Sequence, residues 1–408
     1  EALYKPRDSR EYVMRKVLED LDFASTHCIT NAKLEVNSVR ITRNVALAFK
    51  ARCCLYEGTF RKYHANDPST GKPWTADESE MYLRACADAC ETLMGEGKYA
   101  LVSDPAKVAT QYRSLFTSES VASGEVIWAR AYDASLNATH ILNTYFVNMQ
   151  YGSYSLTRQF VNTYLNRDGS RFTDKAGYEK TLFADEFENR DYRLMQSIRY
   201  TRINSTKVEV PSLSTCMTGY QPIKWVIDDT SMDSNTAPCV TSIPILRYAE
   251  VLLNYAEAKA ELGTLTPEDI ALTVDIVRDR VGMPNIDMDA ANANPDPYLC
   301  APETGYRNVT GPNKGVILEI RRERTIELCL EGHRYYDIIR WKEGKMFEQP
   351  FLGMYFPGLT QGSGDNRYDV FDMNDGIAGD KEKVDICIYT GKKPLITASF
   401  NVLPAAKP

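Results

Sequence analysis

The chain has 408 residues, 43% hydrophobic and 25% charged, with a formal net charge of −7. That balance argues against nucleic acid as a partner, because phosphate binding needs clustered Lys and Arg, and no run reaches the roughly 18 apolar residues of a membrane-spanning helix. The length suits two or three domains, or one large helical array. The chain opens on Glu1 without an initiator Met or a signal peptide, as expected of a processed or trimmed product.

Residues 11–28 read as an amphipathic helix, with Val13, Val17, Leu18, Leu21 and Ala24 at helical spacing. A second helix is expected over 39–56. Its Ala46, Ala48, Ala51 and Leu55 make a small-residue face, and Gly58 lies just beyond its end. Residues 82–94 give the partner helix, with Ala85, Ala89, Leu93 and Met94 as core candidates. Alanine-rich helix pairs with short links suggest tetratricopeptide-like packing, in which each pair buries its face only by stacking on the next. No fixed period of about 34 residues survives, so the repeat is degenerate.

The character then changes. Residues 125–129 look like a short strand. Residues 137–154 carry few charges and many amides and aromatics, and a helix over 157–164 leads to the Asp168-Gly169 turn. Helical spacing returns over 247–263, and 268–281 is expected as a second helix closed by Gly282 and Pro284. A Pro-, Asn- and Gly-rich loop over 287–312 precedes the densest stretch, 315–344, where charges interleave with apolar residues. Opposite charges lie three apart there: Glu319 and Arg322, Arg324 and Glu327, Glu331 and Arg334, Asp337 and Arg340. So many charges beside so much apolar surface are expected to be half-buried and paired, since losing one partner costs about 3–5 kcal/mol. Gly332 marks an expected break between two helical pieces. Residues 355–380 are rich in Gly, Asn and Asp, and 384–396 suggest a hairpin around Thr390-Gly391.

Catalytic signatures are scarce. There is no G-x-S-x-G, P-loop, H-E-x-x-H or dinucleotide fingerprint. His27, His64, His140 and His333 are the histidines, and none has a second at metal-ligand spacing. Cys53, Cys54, Cys86, Cys90 and Cys329 sit on apolar helical faces and read as buried free thiols. Without C-x-x-C there is no zinc pattern. The loop with Asp365, Asp369, Asp372, Asn374, Asp375 and Gly376 lacks calcium-loop register. Asp185, Glu186, Glu188 and Asp191 contain possible glycosidase pairs, but a separation of roughly 5–9.5 Å is not legible in sequence. No metal or cofactor is expected.

Several blocks carry a resemblance. Arg322-Glu323-Arg324, Ile326-Glu327-Leu328, Glu331-Gly332-His333-Arg334, Tyr336-Asp337 and Arg340-Trp341 resemble the C-terminal signature of the RagB/SusD family, surface glycan-binding lipoproteins of Bacteroidetes nutrient-uptake systems. Arg247 through Ala258 resembles the family's other strong signature. Weaker matches are Glu19-Asp20-Leu21-Asp22-x-Ala24, the Arg190-Asp191-x-Arg193-Leu194 segment, and Thr218-Gly219-Tyr220 through Lys224-Trp225. The resemblance covers most of 11–341. The family's N-terminal part, with its lipid-bearing Cys, has no counterpart, and Cys28 is too late to be that residue. A longer proline and asparagine tail is expected after Phe400-Asn401-Val402-Leu403-Pro404.

The resemblance implies a mainly α fold forming a single SusD-like domain over 1–408. A tetratricopeptide-like helix-pair array would occupy 11–100 and 245–345. An irregular, loop-rich ligand-facing region with a few short strands would occupy about 125–240 and 345–400. It implies a surface-exposed outer-membrane lipoprotein that captures a glycan and passes it to a SusC-like TonB-dependent transporter, without chemistry. The membrane would be met only through a lipid anchor outside this chain. A peptide- or protein-binding scaffold is the alternative reading, and a glycoside hydrolase is a further one. Sugar rings stack apolar faces on aromatics while amides and charged groups take the hydroxyls, as ligand sites usually combine the two. Tyr145, Tyr151 and Tyr154 are the leading ligand candidates, with Asn143 and Arg158 as polar partners and Trp74 and Trp128 as further aromatics; Tyr178, Asn148 and Gln150 lie in similar settings. Trp128 on a strand also suits the core, and Trp225 and Trp341 are assigned there.

Overall fold

The computed structural model describes residues 7–30, 39–122, 124–148, 151, 154–200, 216–229, 233 and 238–357, and short strands within 359–394. The fold is mainly α with a few short strands. Helices α1 (Arg10–His27), α2 (Arg43–Tyr63) and α3 (Ala76–Gly95) open it. Thr75 and Glu78 close a capping box at the start of α3, each satisfying a backbone N–H of the other. Helix α4 (Gln111–Thr117), strand β1 (Val126–Arg130), and short helices α5 (Leu142–Val147), α6 (Arg158–Val161) and α7 (Tyr192–Ser197) follow in irregular surroundings. Strand β2 (Ile243–Arg247) pairs antiparallel with β1 and runs directly into α8 (Tyr248–Leu262). The irregular region is thereby hydrogen-bonded to the helical array. Helix α8 ends on Gly263 in the left-handed conformation.

The small-residue faces pack as the composition suggests. Ala48, Ala51, Cys86, Ala89, Cys90, Ala249 and Leu252 join one core shared by α2, α3 and α8. One boundary differs from expectation. Gly58 does not follow the helix but lies within it, and α2 continues to Tyr63. The missing side chain serves helix approach: a Cβ there would lie 2.7 Å from Leu83 Cγ and 3.0 Å from its backbone N. Ser79 Oγ also donates to the Gly58 carbonyl at 2.7 Å. Gly58→Ala is therefore expected to lose about 1–3 kcal/mol by overpacking, despite the roughly 1 kcal/mol that alanine gains over glycine in a helix. A denaturant-unfolding midpoint that rises instead would show that this approach is not tight.

The expected helix over 268–281 is two, α9 (Pro267–Ala271) and α10 (Val274–Asp279). Thr273 leaves helical backbone angles, and its hydroxyl bonds the Asp269 carbonyl at 2.5 Å. The expected loop over 287–312 contains α11 (Met288–Ala293) and α12 (Pro297–Cys300), each opened by an Asp whose carboxylate caps free N–H groups. Helix α13 (Lys314–Glu327) and α14 (Arg334–Arg340) are separated as expected, with Leu330 and Gly332 both at positive φ. The 384–396 hairpin is shorter than expected: Tyr389–Thr390 pairs with Lys393–Pro394, while Lys383–Cys387 pairs with β3 (Leu352–Pro357). The tail at 400–404 and most of the calcium-like loop lie outside the described residues. The described cysteines are free thiols, Cys53 being only partly buried.

The charges of α13 and α14 are buried struts. Glu319–Arg322 and Asp337–Arg340 form within their helices as spacing suggests. Arg324 and Glu331 instead reach other elements, and so does Glu327. Arg324 Nε donates to Asp337 at 2.9 Å and its Nη1 to Asn254 at 2.7 Å. Arg340 Nη2 and Trp341 Nε1 both donate to Glu257, at 2.8 and 2.7 Å. Glu331 takes Arg247 and the buried Lys224, at 2.7 and 2.6 Å. Burial raises the Asp337 carboxyl, but Arg324 and Arg340 outweigh it and hold it well below the ordinary range. His333 is half-buried beside Glu250, and desolvation lowers its pKa, consistent with a packing role.

Candidate ligand-binding surface

The irregular region presents its aromatics from a pinned segment. His140 exchanges backbone hydrogen bonds with Cys239 at 3.0 and 2.7 Å. Its Nδ1 accepts from Leu142 N–H at 3.1 Å, so Nε2 carries the proton and donates to the Thr241 carbonyl at 2.9 Å. Asn143 is 1% exposed, and its Oδ1 accepts from Ile227 N–H at 2.8 Å. Gln221 holds the Phe146 carbonyl at 2.7 Å. Beyond the turn, Leu156 N–H bonds the Tyr220 carbonyl at 3.0 Å and Thr218 Oγ1 donates to the Leu156 carbonyl at 2.6 Å.

These anchors bring Tyr145, Tyr151 and Tyr154 together. The Tyr145 ring is 5.3 Å from Tyr151 and 6.5 Å from Tyr154, at interplanar angles of 71° and 63°. Phe146 backs Tyr154 at 5.5 Å. Tyr145 and Tyr154 are 38% and 48% exposed. The rings form an edge-to-face corner, not a coplanar platform; such pairs contribute about 0.5–1.5 kcal/mol beyond burial, which keeps large aromatics ordered at a surface.

The other sequence candidates lie elsewhere or face inward. Asn143 is a buried anchor of the segment. Arg158 is 4% exposed, on α6, where its charge acts on Glu186 and Tyr220. Trp74 occupies the link between α2 and α3, its ring 4.3 Å from the buried Arg61 guanidinium. Trp128, on β1, packs against the α2–α3–α8 core. Tyr178 stacks edge-on with Tyr298 at 6.3 Å. Gln150 lies outside the described residues. Trp225 and Trp341 are buried, as assigned.

Two of the four acids considered as a hydrolytic pair have structural contacts. Asp191 caps α7 and binds Arg193 at 2.6 Å. Glu186 receives the Tyr220 hydroxyl at 2.8 Å; burial raises its carboxyl to about 7, against the pull of Tyr220, Arg158 and Arg190. Among the described residues, no three His, Cys, Asp or Glu side chains converge as metal ligands, and no helix is long and apolar enough to cross a membrane.

A feature missed by sequence reading starts one residue after Tyr154. A cavity of about 460 Å³ lies between 155–163, 299–306, the α13–α14 elbow and 346–351. Its walls come from four separated stretches, which no local periodicity connects. Gly332 and its neighbours were the available signal, since a helix broken inside an apolar run leaves space beside the break.

A sequence model of the SusD family matches residues 124–383. This chain belongs to the SusD family. The match spans the irregular region and both signature-like blocks, 247–258 and 322–341. Solved SusD-like folds agree. A SusD-like carbohydrate binding protein from Bacteroides fragilis NCTC 9343 superposes with a TM-score of 0.64 at 21% identity, over 90% of this chain and 67% of that one. A second SusD-like protein from the same organism gives 0.58 at 20%, over 90% and 66%. A SusD homolog from Bacteroides thetaiotaomicron VPI-5482 gives 0.52 at 19%, over 83% and 60%. At these identities the likeness is one of fold, and the chain spans about two thirds or less of these SusD relatives' length. No curated protein matches the sequence.

Proposed function

We propose that the protein captures an oligo- or polysaccharide on the Tyr145–Tyr151–Tyr154 corner and releases it unchanged to a SusC-like TonB-dependent transporter. The exposed, edge-to-face tyrosines carry this reading, because a pinned aromatic corner gives sugar C–H faces something flat and ordered to stack on. Family membership and a carbohydrate-binding relative support it. Two ring faces at a steep angle suit a terminal or bent sugar better than a flat chain. Placement at the outer membrane through a lipid anchor is part of this reading and is supported by family membership, with the helical array as the face that docks on the transporter.

Retarded migration in polysaccharide-containing gels is the test. Replacing both Tyr145 and Tyr154 by Ala is expected to weaken binding roughly 30-fold, as for aromatic hot spots worth about 2 kcal/mol or more. Retardation unchanged by the double substitution would move the site elsewhere. Binding only to peptides would transfer the reading to peptide capture, and product release from a labelled oligosaccharide would make the protein a hydrolase.

A further inference from the structure

We propose that the cavity beside the α13–α14 elbow binds a small amphipathic carboxylic acid, its apolar body enclosed and its carboxylate on Arg334. The volume of about 460 Å³ lies within the range of small-molecule sites, roughly 300–1,000 Å³. Leu156, Phe160, Leu328, Leu330, Phe347 and Phe351 supply apolar wall. Tyr335, 52% exposed, marks where the cavity meets solvent.

Arg334 is the unusual member of that wall. The arginines of α13 are each bonded to a carboxylate, as is Arg340. Arg334 Nη1 instead donates to two neutral oxygens, Tyr306 Oη at 3.0 Å and Thr325 Oγ1 at 3.1 Å, and its guanidinium lies 5.5 Å from the Tyr306 ring. Among the described residues no carboxylate is paired with it. These two oxygens and Met346 Sδ, 3.9 Å from Nη2, fix its orientation, and none of the three carries a countercharge. A cation against apolar walls is stabilised by an anion, and a guanidinium accepts a carboxylate through two parallel hydrogen bonds. The wall's own acids do not fill that role: Asp337 is neutralised by Arg324 and Arg340, and Glu303 is exposed.

The rest of the wall selects against a polyhydroxylated ligand. The Tyr306 and Thr325 hydroxyls bond each other at 2.9 Å, Thr304 Oγ1 donates to the Tyr298 carbonyl at 2.6 Å, and Gln159 Nε2 donates to the Pro350 carbonyl at 2.7 Å, which leaves Gln159 Oε1 as one buried acceptor without a partner. Gln159 Oε1 could take one hydroxyl, but a sugar would bury its others short of partners, at about 1–3 kcal/mol each. One anionic group on an apolar body matches the chemistry available.

Titration calorimetry with octanoate and with 1-octanol tests this on the wild-type chain. Octanoate is expected to bind roughly ten-fold tighter or more, since a hydrogen bond to a charged group is worth about 1.5–3 kcal/mol. Arg334→Gln is expected to bring octanoate down to the level of octanol and leave octanol unchanged, while Arg334→Lys keeps part of the preference. Absence of binding by both, equal binding of both to the wild type, or octanoate binding indifferent to Arg334→Gln overturns the proposal. If Arg334→Gln fails to fold by circular dichroism, the wild-type comparison decides alone. The glycan reading is unaffected by failure here, because Tyr145, Tyr151 and Tyr154 are not part of this wall.

Discussion

Glu327→Gln is expected to lower the unfolding free energy by about 3–5 kcal/mol. The Glu327 carboxylate is fully buried and meets three guanidiniums: Arg247 at 2.6 Å, Arg193 at 3.2 Å, and Arg280. The neutral amide keeps the volume and removes the charge that balances them. Their remaining partners, Glu125, Glu331, Asp191 and Glu323, are already engaged. Burial alone raises the Glu327 carboxyl, but Arg280, Arg247 and Arg193 outweigh it and hold it well below its ordinary 4.5. A depressed folded value means stability present above 4.5 and lost as pH falls through the folded value. Urea unfolding at neutral pH is the measurement. The exposed Glu348→Gln is the control, expected to change stability by less than about 0.5 kcal/mol. A Glu327→Gln loss no larger than that control would mean the network is not a strut.

The second large effect runs the other way with pH. Glu186 has its carboxyl raised to about 7 by burial, against the opposing pull of Tyr220, Arg158 and Arg190; Asp185 adds a small push upward. A carboxylate whose folded value is raised contributes stability that is complete below its unfolded value of 4.5 and lost as pH rises through about 7. The full span is worth about 3 kcal/mol. The wild type is therefore expected to lose stability relative to Glu186→Gln between about pH 5 and 8. Glu186→Gln, which resembles the protonated form, is expected to match the wild type near pH 4.5 and exceed it by up to about 3 kcal/mol at pH 8. Thermal unfolding of both across that range is the check. Parallel profiles would show that Glu186 is charged in the folded protein without penalty.

Much of the frame was legible because it repeats local rules. Ala48, Ala51 and Ala89 announce close helix packing, and Gly332 announces the elbow. Pairing three residues apart predicted Glu319–Arg322 and Asp337–Arg340, which form. It failed for Arg324, Glu327 and Glu331, whose partners lie on other elements. Helical spacing reports neighbours on one surface, while these side chains face inward, where tertiary contacts decide. The site divides similarly. Tyr145, Tyr151 and Tyr154 were visible as aromatics in an uncharged segment, and they meet. Asn143 and Arg158 had the right chemistry but point inward, because the loop needs buried hydrogen bonds of its own. The cavity was invisible because its walls are drawn from across the chain.

The Glu327 network also bears on how the molecule assembles. Its three arginines lie 134, 80 and 47 positions away along the chain. Each contact requires the entropy of closing a long loop before it returns anything. Open solenoids can add or shed terminal repeats one at a time, since each unit touches only its neighbours. Here the helix pairs share charges with the irregular region, so peeling away one pair strands ions in a dry interior. Assembly and melting are thus expected to be cooperative, with the irregular region unfolding together with the helix pairs and not before them.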